Sequence, residues 1–503
     1  MKMRHGYLWI LTGLIVFGCG KVKKNKAHAA PLPNIVFFFV DDMGWQDTSV
    51  PFHTELTPLN RRYHTPNMEQ LAKEGMKFPQ AYASAVCSPS RVSLMTGMNA
   101  ARHRVTNWTL FKDDSRDTEH AKLIPPQWNV NGLTAEKGQN RAIYSRTLPQ
   151  LLKKAGYKTI HVGKAHFGAK DTSGEDPLNL GFDVNIAGHA AGGPGSYLGK
   201  YNFSAQWRGG MPVWDVPGLD KYHGTDTYLT EALTIEANKA IDQAVREGKP
   251  FYLYMSHYAI HAPWEKDEHF YRKYRDAGLN EFDATYAAMI EGMDKSLGDI
   301  RANLKRLGVE DTTIIVFMSD NGSPKPAPRN LPLRGFKKTP YEGGSRVPLL
   351  VQWPGVTKAG SVNDAHVLIE DIFPTFLEMA RLRDEMKKSK DGISFVPMLK
   401  GKKTNPDSRP LYWHCPNISP DNEPFSSIRK GPWKLIYHHV DGKMELFNLE
   451  QDIGETRSLF EAQKDKGHEL ATLLSDYLVS VNAQMPMDKA TGKPVQYPGE
   501  LLK

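Results

Sequence analysis

Short, unbroken apolar runs punctuate an otherwise polar chain, and they end on chemically capable residues. Asn34–Val40 (Asn-Ile-Val-Phe-Phe-Phe-Val) stops at Asp41-Asp42, and residues 157–162 lead into Gly163-Lys164-Ala165-His166. Phe251–Ser256 leads to His257 and His261, and residues 313–318 lead to Ser319-Asp320-Asn321-Gly322. Runs of this length, rich in aromatic and β-branched residues and without alternation, predict strands buried on both faces. Between them Leu233, Ala237, Ile241 and Val245 recur every fourth residue, and Gly248 and Pro250 close that helix. Residues 67–75 and 148–156 carry a similar helical pattern. Strands alternating with helices predict an α/β fold: a large mixed, mostly parallel sheet sandwiched by helices. In such sheets sites form beyond the carboxyl ends of the strands, and here four ends carry candidate residues.

The pattern changes near residue 409. Short strands are expected at 410–414, Trp433–His438 and Met444–Asn448, then a helix over 468–479. This predicts a smaller α+β subdomain on an antiparallel sheet. A length of 503 residues accommodates both parts. The expected plan is an export segment (1–30), a main domain (31–405) and a C-terminal subdomain (406–503), with the Lys- and Asp-rich stretch 381–406 as the connection.

The first thirty residues read as a leader. Lys2 and Arg4 precede an apolar stretch over 7–17, too short for a comfortable membrane span. Val16-Phe17-Gly18-Cys19 resembles a bacterial lipobox, with departures at Val16 and Phe17. Ordinary cleavage within Ala27-His28-Ala29-Ala30 is the rival, and the charged stretch 21–26 sits awkwardly before that site. An exported protein is expected, as a periplasmic or outer-membrane lipoprotein whose membrane link is Cys19. Six basic residues of this leader account for most of the formal charge of +8. No dense basic–aromatic stripe argues for nucleic acid. Of three cysteines, Cys19 falls in the leader, and Cys415 reads as a plain buried or semi-buried thiol, so no disulfide framework is expected.

Asp41, Asp42, Asp320 and Asn321 are hard oxygen ligands, a set suited to Ca2+ or Mg2+. Zinc patterns such as H-E-x-x-H or paired C-x-x-C are missing from the sequence. Each pair taken alone also fits a turn after a strand.

One run is more specific. Cys87-Ser88-Pro89-Ser90-Arg91-Val92-Ser93-Leu94-Met95-Thr96-Gly97 reads C-x-P-S-R-x-x-L-x-T-G. It resembles the signature of the type I, formylglycine-dependent sulfatases of the alkaline-phosphatase superfamily. Asp41-Asp42-Met43-Gly44 and Asp320-Asn321-Gly322 resemble that family's two metal segments. Gly163-Lys164-Ala165-His166-Phe167-Gly168 resembles its G-K-W-H-L-G, with Ala165 in place of Trp, and His261-Ala262-Pro263 resembles its P-H-x-P, with Ile260 in place of Pro. Leu333-Arg334-Gly335-Phe336-Lys337 and Glu342-Gly343-Gly344-Ser345-Arg346-Val347-Pro348 complete the likeness.

The resemblance implies a sulfuric ester hydrolase. Cys87 would be oxidised to formylglycine by a maturase and would join Asp41, Asp42, Asp320 and Asn321 around a Ca2+ (or Mg2+) ion. A hydrate hydroxyl would attack sulfur. Arg91 and Lys164 would hold the hydrate, His261 with Lys337 would protonate the departing sugar oxygen, and His166 would take the proton that re-forms the aldehyde. The helix expected to begin at Cys87 adds an N-terminus that favours an anion. His189 (in the glycine-rich loop 188–195), Arg334, Trp413 and His414 are the candidates for contacts to the rest of the substrate. His257 fits either a supporting or a packing role.

The expected substrate is a sulfated carbohydrate of galactose type, galactose or N-acetylgalactosamine, with a leaning to the 4-O-sulfate. A phosphodiesterase or phosphonate monoester hydrolase of the same superfamily is one alternative. A non-catalytic glycan-binding lipoprotein is another, which the intact set of acids and bases disfavours.

Overall fold

The computed structural model describes residues 31–325, 329–403, 409–420 and 423–502, with residues 1–3, 5, 6 and 8 near the N-terminus. Cys19 and the expected cleavage sites lie outside the described residues, as does the expected boundary at 405/406.

The main sheet has eight strands. In chain order they are β1 (Asn34–Val40), β2 (Met76–Lys77), β3 (Lys158–Gly163), β4 (Val184–Ile186), β5 (Phe251–Ser256), β6 (Thr313–Ser319), β7 (Leu349–Gln352) and β8 (Ser361–Val362). Their spatial order is β8-β2-β7-β6-β1-β5-β3-β4. Neighbours pair in parallel except at β7, which runs against both β6 and β2. The sheet is thus mixed and mostly parallel, as expected.

The principal helices are α1 (Pro66–Glu74), α2 (Cys87–Thr96), α3 (Leu148–Lys154), α4 (Leu229–Arg246), α5 (Glu281–Arg306), α6 (Ile372–Met379) and α7 (Lys464–Ser480). They explain why β1 is apolar throughout. Val36, Phe38 and Val40 face a core built with α1, α4 and α5, while Ile35, Phe37 and Phe39 face a second core with α2, α3 and α6. Alternate side chains of one strand therefore enter two different layers, and neither set tolerates a polar residue. Helix α3 starts on a Thr147/Gln150 capping box. Helix α2 has no side-chain cap at Val86, so its first backbone N–H groups stay available, and it ends on Gly97 at φ 68°.

Four strands, β9 (Leu411–Cys415), β10 (Phe425–Lys430), β11 (Trp433–His438) and β12 (Met444–Asn448), form the antiparallel C-terminal sheet in sequence order. Leu470, Ala471, Leu474 and Leu478 of α7 pack on Ile428, Leu435 and Leu446 of this sheet. Strand β10 was not legible, because its buried positions include Ser426, Ser427 and Arg429 beside Phe425 and Ile428. The stretch 381–406 is more than a connection. Its described part sends Phe395, Val396 and Leu399 into the core shared with α6. Residues 32–503 form one compact unit, so the C-terminal sheet is docked on the main body.

Candidate active site

The parallel register of β1 and β6 pairs Val40 with Ser319. The residues that follow, Asp41-Asp42 and Asp320-Asn321, therefore emerge side by side. Carboxylate oxygens of Asp41, Asp42 and Asp320 lie within 4.8 Å of one another and all three residues are buried. Asp42 sits in the left-handed region at φ 62°, held by its N–H to Asp320 Oδ1 at 3.2 Å. Such a backbone conformation at a non-glycine residue is costly and is kept where the surroundings demand it.

Asp41 Oδ1 and Asn321 Oδ1 are buried without a hydrogen-bond partner. Buried oxygens left unpaired are expensive. Burial, with Asp320 beside it, pushes the Asp41 carboxyl well above the usual carboxylate range. Burial acts on Asp42 in the same sense, but Lys337, His261 and Lys164 outweigh it and hold that carboxyl far below the usual range. Three close carboxylates and two orphaned oxygens, all hard donors, fit a divalent cation.

Three basic side chains close the cluster. Arg91 is four residues after Cys87, so the two share a face of α2, and Arg91 is fully buried. Its Nη2 donates to Asp320 Oδ2 at 2.8 Å and its Nη1 to Ser256 Oγ at 2.6 Å. Lys164 Nζ donates to Asp41 Oδ2 at 2.6 Å, and Lys337 Nζ donates to Asp42 Oδ1 at 2.5 Å. Burial would lower the Lys337 ammonium, but Asp42 and the neighbouring acids raise it, so it stays charged. Ser90 Oγ donates to the Asp320 carbonyl, pinning the start of α2 to the end of β6.

The two histidines are fixed by backbone carbonyls, which only accept. His166 Nε2 lies 2.9 Å from Thr109 O and so carries the proton, leaving buried Nδ1 bare. His261 Nδ1 lies 2.7 Å from Ala262 O, leaving Nε2 to face Asp42 Oδ2 at 3.8 Å. Burial first, then Lys164, drives His166 well below its ordinary value. Burial pushes His261 down to about 3, against the pull of Asp42. The glycine-rich loop backs both rings. A β-carbon on Gly192 would sit 2.4 Å from His166 Cε1, and one on Gly193 would sit 2.7 Å from His261 Nδ1.

These groups open into a cavity of about 350 Å3 lined by Cys87, Asp42, His166, His261 and Lys337. Its outer wall is aromatic and basic: Trp108, Trp214, Trp264 and Phe336, with Lys325 and Lys338. Sequence reasoning missed this wall, because single tryptophans in loops carry no spacing signal.

The sulfatase family model matches residues 33–382, and a model described as N-sulphoglucosamine sulphohydrolase, C-terminal, matches 336–484. The chain belongs to the sulfatase family. A sulfatase of Formosa agariphila is 28% identical over 545 residues, covering 97% of this chain and 96% of that protein. The mouse (Mus musculus) N-acetylgalactosamine-6-sulfatase is 32% identical over 408 residues, covering 78% of this chain and 70% of that protein. Among solved structures, Ps i-CgsB superposes with a TM-score of 0.73 at 27% identity, covering 89% of this chain and 93% of that one. The phosphonate monoester hydrolase of Agrobacterium radiobacter shares the fold, with a TM-score of 0.59 at 19% identity.

In this sulfatase the motif residues Asp41, Asp42, Cys87, Arg91, Lys164, His166, His261, Asp320, Asn321 and Lys337 converge, but the four expected substrate contacts do not line the cavity. Trp413 is buried on Tyr82 and donates its indole N–H to Ala83 O at 2.9 Å. His414 is buried between Ser426 Oγ and Gln484 O. Both hold the C-terminal sheet in place. Arg334 stacks on Tyr341 at 3.7 Å and donates to Glu455 O. His189 supports the site from behind, its carbonyl accepting the His166 N–H at 3.1 Å. His257 packs on Phe38 and bonds Ser296 Oγ, away from the cluster. Cys415 is a buried free thiol, and burial pushes it up to about 12.

Proposed function

We propose that this sulfatase removes sulfate from a galactose-type sugar, galactose or N-acetylgalactosamine, in an extracellular glycan. The observation that carries the sulfate-ester chemistry is the buried acidic cluster, with its two orphaned oxygens, beside Cys87 at an uncapped helix N-terminus. Asp41, Asp42, Asp320 and Asn321, with residue 87, would hold a Ca2+ (or Mg2+) ion, which would supply positive charge to sulfate oxygens. Cys87, once matured to formylglycine, would supply an oxygen nucleophile toward sulfur.

The chain's other groups bind and move protons. Lys337 lines the cavity while paired to Asp42, and Lys164 is buried against Asp41, so both charges are positioned before substrate arrives. Arg91 keeps Asp320 and the start of α2 in register. His261 Nε2 faces the cavity and gives a proton to the departing sugar oxygen, with Lys337 beside it. An entering anionic sulfate opposes the burial that otherwise keeps this ring neutral. His166 accepts a proton at its bare Nδ1.

Carbohydrate as the substrate class is supported by relatives whose names specify N-acetylgalactosamine, and by a neighbour solved with k-i-k-neocarrahexaose at TM-score 0.73 and 26% identity. We favour the 4-O-sulfate, with the 6-position of the mammalian relatives' name as the competing outcome. Export as a periplasmic or outer-membrane lipoprotein through Cys19 belongs to the same proposal and rests on the leader residues.

Protein co-produced with a formylglycine-generating maturase tests the reading. The peptide carrying residue 87 should lose about 18 Da relative to the thiol. The same protein should release sulfate from 4-O-sulfated galactose or N-acetylgalactosamine faster than from the 6-O isomers, and faster than it cleaves an aryl phosphate diester. An unmodified thiol beside a competent maturase overturns the mechanism; preference for the 6-O ester overturns the position alone.

A further inference from the structure

We propose that the loop region spanning residues 200–215 forms a second sugar-binding platform outside the catalytic cavity. This platform would engage a sulfated oligosaccharide of several residues. The inference rests on the glycan reading of the cavity and adds a chain-length preference to it.

Tyr201 and Trp207 stack face to face, with ring centroids 4.2 Å apart and planes 14° from parallel. Trp207 is nonetheless half exposed, at 50%. Met211, four residues on, is equally exposed at 50%, so this segment presents more apolar surface than one isolated side chain, and such surface beside charged residues suits a binding face. The stack is also rigidly joined to the catalytic cavity. Asp215, directly after the cavity residue Trp214, accepts from Ala205 N at 2.9 Å and from Gln206 Nε2 at 2.6 Å. That ties the turn carrying Trp207 to the turn carrying Trp214. Arg208 reaches Glu265, the neighbour of cavity residue Trp264, at 3.8 Å, and Glu265 is anchored by Ser196 and Tyr197. Trp264, Trp214 and Trp207 therefore belong to one braced unit that leads from the cavity wall to the surface.

Charge selects the occupant. Exposed Lys200 lies 5.2 Å over the Tyr201 ring, and Arg208, a third exposed, adjoins Trp207. A flat apolar face beside two cations fits a pyranose ring that presents its C–H face to the indole and a sulfate to the cations. A sugar in the cavity and a second on the platform require a connected chain, so the favoured ligand is an oligosaccharide.

The test compares matured wild type with Trp207→Ala and Lys200→Gln, using sulfated galactan di- and hexasaccharides and 4-nitrophenyl sulfate. Loss of stacking area predicts about a tenfold fall in kcat/KM for the hexasaccharide in Trp207→Ala, carried by KM. Turnover of the disaccharide and of 4-nitrophenyl sulfate should stay at wild-type level, which also reports that the variant is folded. Lys200→Gln should lower hexasaccharide affinity and flatten its dependence on salt. Calorimetric binding of the hexasaccharide should fall in parallel. An unchanged ratio of hexasaccharide to disaccharide in Trp207→Ala overturns the platform, as does a wild type that binds no hexasaccharide. Trp207-dependent binding without sulfate release from any glycan would instead refute the proposed reaction and leave the platform standing.

Discussion

Two buried charge clusters of this sulfatase differ in a way that separates chemistry from architecture. The first is Asp41, Asp42, Asp320 and Asn321 with Arg91, Lys164 and Lys337. The second centres on Glu342. Lys434 Nζ donates to Glu342 Oε1 at 3.0 Å, Tyr82 Oη donates to Oε2 at 2.8 Å, and Arg346 Nη1 lies 3.3 Å from Oε2. Lys434 also reaches Glu455 Oε1 at 2.9 Å, and the other oxygen of Glu455 accepts the Glu342 N–H at 2.7 Å. In this second cluster each carboxylate oxygen of Glu342 has a protein partner, and the partners come from both the main body and the C-terminal sheet. It is a clamp. Glu455 Oε1, which has no hydrogen bond, still has the Lys434 ammonium at 2.9 Å. In the first cluster Asn321 Oδ1 has no partner, Asp41 Oδ1 has only Arg91 at 4.0 Å, and the group faces a cavity. Unfinished pairing beside a cavity marks a place for an outside ligand, whereas finished pairing marks a joint between parts.

The sharpest way to break this comparison is to remove a charge from each cluster. Asp41→Asn should lower kcat by about 10^3-fold or more, through lost preorganised charge. Its stability should fall less than that of the clamp variant, because the Asn amide oxygen can still accept from Lys164 and burial already disfavours the Asp41 carboxyl as an anion. Lys434→Met should do the reverse. It leaves Glu342 and Glu455 without their shared cation and should cost ~3–5 kcal/mol in urea unfolding, with kcat per folded molecule retained. Equal stability losses in the two variants would dissolve the distinction.

Metal removal sharpens it next. A chelator should abolish sulfate release, and added Ca2+ should restore it. At a hundredfold excess over Kd the ion should stabilise the fold by about 2.7 kcal/mol, and Asp41→Asn should reduce that gain while Lys434→Met keeps it. Gly192→Ala comes third. Its methyl would meet the His166 ring, and the displaced ring should lower kcat about tenfold to a hundredfold with little change in KM. The smallest effect is expected for Trp413→Phe. Losing the indole bond to Ala83 O should cost about 1 kcal/mol of stability, with kcat/KM on a sulfated disaccharide unchanged. A marked kinetic effect would return Trp413 to the substrate site.

The same contrast explains what was legible in the chain. Strands β1, β5 and β6 announced themselves because burial on both faces demands unbroken apolar runs, and the acids, amides and histidines after them stood out as exceptions. Strand β10 hid, because its buried polar residues find partners far away in the chain, Ser426 at His414 on the next strand and Arg429 at Gln80 and Tyr82 in the main body. Glu342 and Arg346 lie in a motif-like run, yet they belong to the clamp, a role set by Lys434 nearly a hundred residues later. Trp413 and His414 resembled substrate contacts as an aromatic–histidine pair, but packing against Tyr82 and Ser426 uses both.

By itself, then, the sequence determined the strand cores, the helix that starts at Cys87, the family, and the set of ionisable groups in the site, because each depends on local composition and spacing. Tertiary structure alone decided which buried charges are completed and which are left open, which tryptophans line the cavity, and which histidine nitrogens stay bare. Those properties depend on partners far away in the chain, and pairing across such distances leaves no periodic trace.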